Sequence, residues 1–274
     1  MINVEFNSDG VLMVKWDAED YRKSSSNQEK WAKELMNLLE LEGYENVLDI
    51  GCGDGRITAE ISAKIPEGRI LGIDNSEEMI SLAQRTFSHE EYPNLKFQHM
   101  DARKMDFNNE FHRIFSNAAL HWVKDHQPIL KGIKHALKIK GRIVLQMGGK
   151  GNAEEIIAVL DELLLLEKWK NYFIDFEFPY GFFDDEEYRK IIEDSGLKPI
   201  KVELIPKIMI HSNIEELEGW IRTTWLPYTQ RLPEELQEEF IHELASSYIQ
   251  KRPSKSKDIE IKMVRLEVEA EKIE

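Results

Sequence analysis

The chain has few of the features that mark secreted, membrane or metal-binding proteins. Cys52 is the one cysteine among 274 residues, so no internal disulfide can form and a reducing cytoplasm is the expected compartment. No apolar run approaches the roughly 20 residues that cross a bilayer, so we expect no membrane partner. The first residues also lack the basic and then apolar layout of a signal peptide.

Neither a metal site nor a nucleic-acid surface is indicated. The eight histidines show no His-x-x-x-His spacing and no cluster with the cysteine, so we expect no metal. The net charge of −15 disfavours a polyphosphate partner, because binding to nucleic acid requires clustered lysines and arginines and none cluster here. The expected partner is therefore a small molecule.

One apolar stretch runs into three alternating glycines, Asp49-x-Gly51-x-Gly53-x-Gly55. Asp74 ends the next apolar run along the chain. Glycines let a ligand approach the backbone closely, and an acid at the end of the following strand can accept the hydroxyl groups of a ribose. The two features together predict a nucleoside pocket at the carboxyl ends of parallel strands.

Strand and helix patterns alternate through the first 150 residues. Short apolar runs predict strands, and apolar residues spaced three to four apart predict the helices between them. Asn75 is the predicted cap of the helix after the second strand, and Gly141 is predicted to end the helix before the fifth. This alternation predicts an α/β fold with a doubly wound, mostly parallel, seven-stranded sheet.

The pattern changes to helices beyond residue 152. Residues 211–258 are predicted to form a helical lid over the acceptor pocket, inserted into a core made of residues 1–210 and 259–274. A hairpin is predicted around residues 7–10. The final segment, 262–272, alternates with period two, which predicts a strand with one solvent-exposed, charged face.

The glycine segment resembles motif I of the class I S-adenosylmethionine (SAM)-dependent methyltransferases. A nicotinamide dinucleotide fingerprint would place its third glycine where Arg56 stands, and no acid would be expected before the first. The resemblance implies that the backbone at Gly51 and Gly53 accommodates the methionine part of SAM. It also implies that Asp49 holds the amino group and that Asp74 takes the ribose hydroxyls.

The resemblance covers about residues 20–150 and implies further cofactor contacts. These contacts are Tyr21, Asn75, Asp101, Ala102 and Asn117. Asp101 follows the third predicted strand, as the adenine-contacting acid of the family does, although a surface turn is the alternative. Asn117 ends the fourth strand, where the switch in strand order opens the ligand crevice.

The segment 116–123 stands where nitrogen-methylating enzymes carry an Asn/Asp-Pro-Pro-Tyr tetrad. It instead resembles the trans-aconitate and juvenile hormone acid methyltransferases, which esterify carboxylates. That resemblance implies that Gln28, His121 and Trp122 are the catalytic contacts to the acceptor. For His121 three interpretations stay open: a base, a carboxylate contact, or a position on the rim.

The predicted lid carries a segment similar to the lid of the aconitate enzymes. Its aromatic residues, Trp220, Trp225 and Tyr228, either line the acceptor pocket or pack the helices together. Arg222 and Arg231 either pair with acceptor carboxylates or form surface salt bridges. Because this segment is aromatic and has few cations, we expect an acid with a substantial apolar portion.

The sequence thus predicts a SAM-dependent methyltransferase that esterifies a small carboxylic acid. A carboxylate is ionised at neutral pH, so in-line methyl transfer needs positioning rather than a general base. Two alternatives stay open. One is methylation of another small-molecule atom or of a protein, and the other is a non-catalytic regulator that binds SAM.

Overall fold

A computed structural model of the protein describes residues 26–253 and 257–274. A seven-stranded sheet has the order β3-β2-β1-β4-β5-β7-β6. The strands are β1 (Asn46–Ile50), β2 (Arg69–Asp74), β3 (Leu95–His99), β4 (Phe111–Asn117), β5 (Leu137–Gly148), β6 (Lys198–His211) and β7 (Ile259–Glu271). Strands β1 to β5 pair in parallel, and β7 pairs antiparallel with β5. The predicted fold class is confirmed, whereas the predicted hairpin lies outside the described residues.

Helices follow most of the strands. They are α1 (Ser26–Met36), α2 (Arg56–Lys64), α3 (Glu77–Thr86), α4 (Gln127–Ala136), α5 (Glu154–Leu164), α6 (Asp185–Asp194), α7 (Ile214–Thr224), α8 (Leu226–Thr229) and α9 (Glu234–Lys251). Among the described residues, no helix is long and apolar enough to span a membrane. The spacing of strands and helices is that of βαβ units, which places every loop that follows β1, β2 and β4 at one edge of the sheet.

The chain divides into two compact units. The sheet unit contains Ser26–Asn152, Tyr180–Pro206 and Val264–Glu274, and the helical unit contains Ala153–Pro179 and Lys207–Met263. The assignment of residues 211–258 as a lid stays a prediction.

The core of the sheet unit lies on both faces of the central strands. Val47 and Leu48 are neighbours in β1 and point to opposite faces, yet both are fully buried. Leu35 of α1 belongs to the apolar cluster on the Val47 face, and Ile133 of α4 belongs to the cluster on the Leu48 face. Burying one such side chain contributes about 1.5–3 kcal/mol, so the helices on both faces hold the strand ends in place.

The helical unit has an aromatic core. Trp169 packs edge-to-face on Phe240 with ring centroids 5.1 Å apart, and Phe173 stacks on the same ring at 5.8 Å. The indole Nε1 of Trp169 donates to Glu243 at 3.0 Å, so the polar edge of this ring is also bonded.

Two local predictions are wrong. Ser76, not Asn75, caps α3: its extended backbone lets its Oγ accept the N–H of Met79 at 3.2 Å. Helix α4 ends at Ala136, and Gly141 lies inside β5, beside the irregular register of β4 and β5. A Cβ at Gly141 would lie 2.7 Å from a backbone oxygen, so this glycine permits a close approach within the sheet instead of ending a helix.

The face of β7 that was predicted to be exposed is buried. Arg265 is 4% exposed and its guanidinium lies over the ring of Trp31, 5.4 Å from the centroid. Glu267 is 9% exposed and accepts hydrogen bonds from Lys201 Nζ at 2.5 Å and from Gln146 Nε2 at 3.1 Å. The period of two is therefore present, but the charge of Glu267 is satisfied by Lys201 of β6 and Gln146 of β5 instead of by water.

We expect Glu267→Ala to lower the free energy of unfolding by about 2–3 kcal/mol, because it leaves the Lys201 ammonium and the Gln146 amide without their acceptor. Urea denaturation measures the change. Glu203→Ala is the matched control, since Glu203 lies 3.7 Å from the same ammonium but is 58% exposed. Its effect should stay below about 0.5 kcal/mol. Equal losses in the two variants would contradict a buried role for Glu267.

Candidate functional site

The glycine loop after β1 is bonded to β2 and packed against the segment after β4. The N–H groups of Gly51 and Cys52 both donate to the carbonyl of Ile73, at 2.8 and 3.0 Å. Gly51 has a φ of +74°, and a Cβ there would lie 2.1 Å from the Cβ of Ala119. Glycine is therefore required at this position by both backbone conformation and packing.

Asp74 at the end of β2 fixes the next part of the loop. Its Oδ2 accepts the N–H of Gly53 at 2.9 Å, and its Oδ1 accepts the N–H of Ser76 at 2.9 Å. Gly53 has a φ of +54°, and a Cβ there would meet no described atom within 4 Å. The loop thus presents bare backbone toward open space beside a carboxylate.

Two carboxyl groups, one buried and one partly buried, lie at this edge of the sheet. Asp49 is 2% exposed, and its Oδ2 accepts the hydroxyl of Thr58 at 2.7 Å. Burial raises the pKa of Asp49 to about 7, with a further contribution from the charge of Asp74. Burial also raises the pKa of Asp74, although backbone N–H groups oppose the shift. A cationic ligand with hydroxyl donors would relieve both groups.

These residues fit SAM and not a dinucleotide. SAM would bring an ammonium group to Asp49 and ribose hydroxyls to Asp74, and its methionine part would pass the open side of Gly53. A dinucleotide would instead place an anionic diphosphate beside these acids, which their charges oppose.

Asn117 lies where the predicted crevice opens. Strand β4 pairs with β1 on one side and with β5 on the other, so the strand order reverses at β1 and β4. Asn117 is in register with Gln146, and the next residue, Ala118, has a φ of +55° and donates its N–H to the Gln146 carbonyl at 2.8 Å. This left-handed residue turns the chain back toward the glycine loop, where Ala119 meets Gly51.

The four remaining residues that were predicted to contact the cofactor lie in different surroundings. Asp101 is bonded through both oxygens to the guanidinium of Arg103, at 2.6–3.0 Å, and Ala102 begins the short 3₁₀ turn that follows. Asn75 is exposed between β2 and α3. Tyr21 lies outside the described residues. The cofactor contacts of all four stay predictions.

Cys52 has the setting of a packing residue. It is buried, and burial raises the pKa of its thiol well above the usual value. A Cβ at Gly72 would lie 2.9 Å from the Cys52 Cβ, so β2 packs directly against it. The thiol stays protonated at neutral pH, which does not suit a nucleophile.

His121 lies in the 3₁₀ turn Leu120–Trp122 that follows β4. It is 7% exposed, and its Nδ1 accepts the N–H of Gly148 at 3.4 Å. Burial lowers the pKa of His121 well below the usual value, and the charge of Arg265 lowers it further. The ring is therefore neutral. Since Nδ1 accepts a hydrogen bond, we assign the proton to Nε2, which makes His121 a hydrogen-bond donor at that atom.

The rings of Tyr180 and Phe182 lie beside those of His121 and Trp122. Neither residue was predicted from the sequence. Their rings stack on each other at 5.5 Å, and each lies 6.1 Å from the ring of His121. Trp122 packs edge-to-face on Tyr180 at 5.1 Å, and the N–H of Gly181 donates to the His121 carbonyl at 2.8 Å. In the sequence, these two residues belong to a run of aromatic residues around Gly181, outside the βαβ pattern, and this run could have indicated them.

Gln28 lies in α1, one turn before Trp31, and its side chain is not described. In the helical unit, Trp220 and Trp225 are buried and pack edge-to-face at 5.7 Å. Arg222 is bonded to a carboxylate at 2.6–2.7 Å, and Arg231 to two backbone carbonyls at 2.5 and 3.0 Å. These contacts favour packing for the two tryptophans and a salt bridge for Arg222, whereas Arg231 holds the backbone of a neighbouring segment.

Asp74→Ala should weaken SAM binding by about tenfold to a hundredfold, since it removes a charged acceptor for the ribose hydroxyls and releases the N–H of Gly53. Isothermal titration calorimetry measures the affinity. Glu77→Ala removes an acid from the first turn of the following helix and should leave the affinity within about twofold. Unchanged binding by the Asp74 variant would refute the ribose assignment.

Asp49→Asn should stabilise the ligand-free protein at pH 8 by about 2–3 kcal/mol and have little effect near pH 4. The folded pKa of about 7 exceeds the ordinary value of 3.8, so the folded wild type holds more protons than the unfolded chain between these values and loses stability as pH rises through them. Urea denaturation at several pH values measures this.

The exposed control Asp125→Asn should keep the wild-type pH slope. An Asp49 variant with that same slope would contradict a buried, protonated carboxyl group.

Comparisons with known proteins identify the family of this chain. A family described as a methyltransferase domain matches residues 41–196. An uncharacterized methyltransferase of Schizosaccharomyces pombe is 30% identical over 213 residues, covering 76% of this chain and 79% of the relative.

Two further relatives match over most of their length. A trans-aconitate 2-methyltransferase of Variovorax paradoxus is 28% identical, covering 84% of this chain and 88% of the relative. A juvenile hormone acid O-methyltransferase of Bombyx mori is 26% identical, covering 83% and 84%.

Among solved structures, a phosphoethanolamine N-methyltransferase 2 of Haemonchus contortus in complex with S-adenosyl-L-methionine shares the fold. Its TM-score is 0.60 at 17% identity, covering 94% of this chain and 57% of that one. The glycine loop, the two acids beside it and the family match lead to one conclusion: this chain belongs to the methyltransferase-domain family and is a SAM-dependent methyltransferase.

Proposed function

We propose that the enzyme transfers the methyl group of SAM to a carboxylate of a small organic acid and so forms a methyl ester. The observation that carries this proposal is the neutral His121, an N–H donor set among aromatic rings at the crevice strand. A donor of this kind binds a carboxylate oxygen but takes no proton from an amine or a phenol. Carboxylate methylation needs no proton removed, so it suits such a donor.

Transfer at this site depends on positioning. SAM supplies a methyl group on a cationic sulfur, and this sulfur leaves as a neutral thioether when the new carbon–oxygen bond forms. His121 orients one carboxylate oxygen through Nε2–H, and the rings of Trp122, Tyr180 and Phe182 exclude water from it. Holding the reacting atoms about 3–3.5 Å apart can supply several kcal/mol of the barrier reduction.

The names of two relatives support a carboxylate acceptor. The Variovorax protein is named for trans-aconitate and the Bombyx protein for juvenile hormone acid, and both match more than four fifths of this chain. Gln28 is proposed as a further contact to the acceptor, on the resemblance of its segment to the hormone enzymes.

The acceptor is proposed to have an apolar portion. Three aromatic rings surround His121 in the sheet unit, and the predicted lid is rich in aromatic residues. Aromatic rings bind a hydrocarbon group better than a small polyanion, because burying apolar surface against the rings is favourable. A nucleic-acid substrate is not part of the proposal because the net charge is −15. A cytoplasmic location is part of it and rests on the single, buried cysteine.

Incubation with methyl-labelled SAM and a metabolite extract should yield small labelled products that release methanol in mild base, as methyl esters do. Gln28→Ala and Trp122→Ala should each lower the turnover of the identified acid by about tenfold or more, because positioning is lost. Their affinity for SAM by calorimetry should stay within about twofold of wild type.

His135→Ala is the control, since His135 is an exposed histidine on α4. Base-stable products would point to methylation of nitrogen or carbon and sink the carboxylate proposal. Wild-type rates in both variants would show that the acceptor site is misplaced.

A further inference from the structure

One face of the sheet carries opposite charges along its carboxyl edge. Asp49 of β1 is in register with Phe115 of β4, and Asn117, two residues on, is in register with Gln146 of β5. Gly148, two residues beyond Gln146, is in register with Arg265 of β7. Because side chains two apart in a strand share a face, Asp49, Asn117, Gln146 and Arg265 all lie on the same face.

Arg265 is a buried cation close to His121. The Gly148 N–H that bonds His121 Nδ1 belongs to the register partner of Arg265. After burial, the charge of Arg265 is the largest influence on the pKa of His121. The guanidinium also lies over Trp31, one helical turn after Gln28. Arg265 thus lies beside two segments that the sequence predicted to contact the acceptor.

We propose that Arg265 binds the carboxylate of the methyl acceptor and selects acids over neutral molecules. This inference rests on the proposed carboxylate methylation. The acids of β1 and β2 suit a cationic cofactor, and a buried cation on β7, three strands from β1 on the same face, suits an anionic acceptor. Arginine matches a carboxylate with two parallel N–H···O bonds, and its five N–H donors allow protein contacts and a carboxylate together.

The same charge favours release of the product. Methylation turns the carboxylate into a neutral ester, so its attraction to the Arg265 guanidinium falls when the carbon–oxygen bond forms. The substrate is therefore held more tightly than the product, with no movement of the chain required.

The test compares Arg265→Met and Arg265→Lys with Arg142→Met. Arg142 is the matched control, since it lies in β5 six residues before Gly148, away from the carboxyl edge, and is bonded to Glu40 and Glu269. Each protein is incubated with methyl-labelled SAM and a metabolite extract, and base-labile product is measured. In parallel, decanoate and trans-aconitate are titrated into each protein with S-adenosylhomocysteine present, and the His121 ring signals are followed by NMR.

We expect Arg265→Met to lower kcat/KM for the labelled acid about 30-fold or more, mainly through KM, with SAM affinity within about twofold of wild type. The kcat/KM of Arg265→Lys should lie between those of the wild type and Arg265→Met, because lysine keeps the positive charge but cannot form two parallel hydrogen bonds with a carboxylate. At least one probe acid should shift the His121 signals in wild type and Arg142→Met but not in Arg265→Met.

Failure of the role of Arg265 and failure of carboxylate methylation give different results. Base-labile product from the wild type, with Arg265→Met as active as Arg142→Met, would overturn the role of Arg265 and leave carboxylate methylation standing. Wild-type protein that yields only base-stable product, or none, would overturn carboxylate methylation and the role of Arg265 with it. Equal His121 shifts in wild type and Arg265→Met would overturn the role of Arg265 even if Arg265→Met is too unstable for kinetics.

Discussion

The carboxylate of Asp74 is the group on which the cofactor site depends. It accepts one N–H from the glycine loop after β1 and one from the turn before α3, so a single side chain fixes two neighbouring loops. A second acid lies nearby, the buried Asp49, whose pKa is raised by burial and by the charge of Asp74. Bound SAM would bring a cation and hydroxyl groups that offset both effects.

The proposed acceptor side of the crevice is built around an uncharged hydrogen-bond donor instead of a carboxylate. His121 is kept neutral by burial and by the charge of Arg265, and a backbone N–H occupies its Nδ1. The ring therefore offers a fixed donor, and the stacked Tyr180 and Phe182 hold it in place. An arrangement of this kind suits the proposed carboxylate acceptor, which is already ionised and needs no proton acceptor at the reacting oxygen.

That the residues of the proposed cofactor site come together could be predicted, because they follow one another at the ends of successive parallel strands. Asp49, Gly53 and Asp74 meet for that reason alone, since the carboxyl ends of parallel strands share an edge. Predictions failed where a neighbouring strand decided the outcome. Gly141 has the sequence setting of a helix end but lies inside β5, and the charged positions of β7 are buried against α1 and β6.

The sequence by itself determined the fold class and the cofactor, because both follow from short segments: the strand–loop–helix alternation and the spacing of three glycines and two acids. Only the tertiary structure decided which ring nitrogen of His121 carries the proton, which aromatic rings enclose it, and that Arg265 is buried beside it. Each of these facts is a contact between side chains and backbone far apart in the chain, such as that of His121 with Gly148, 27 positions on. Local patterns cannot report such contacts, since packing against other strands and helices creates them.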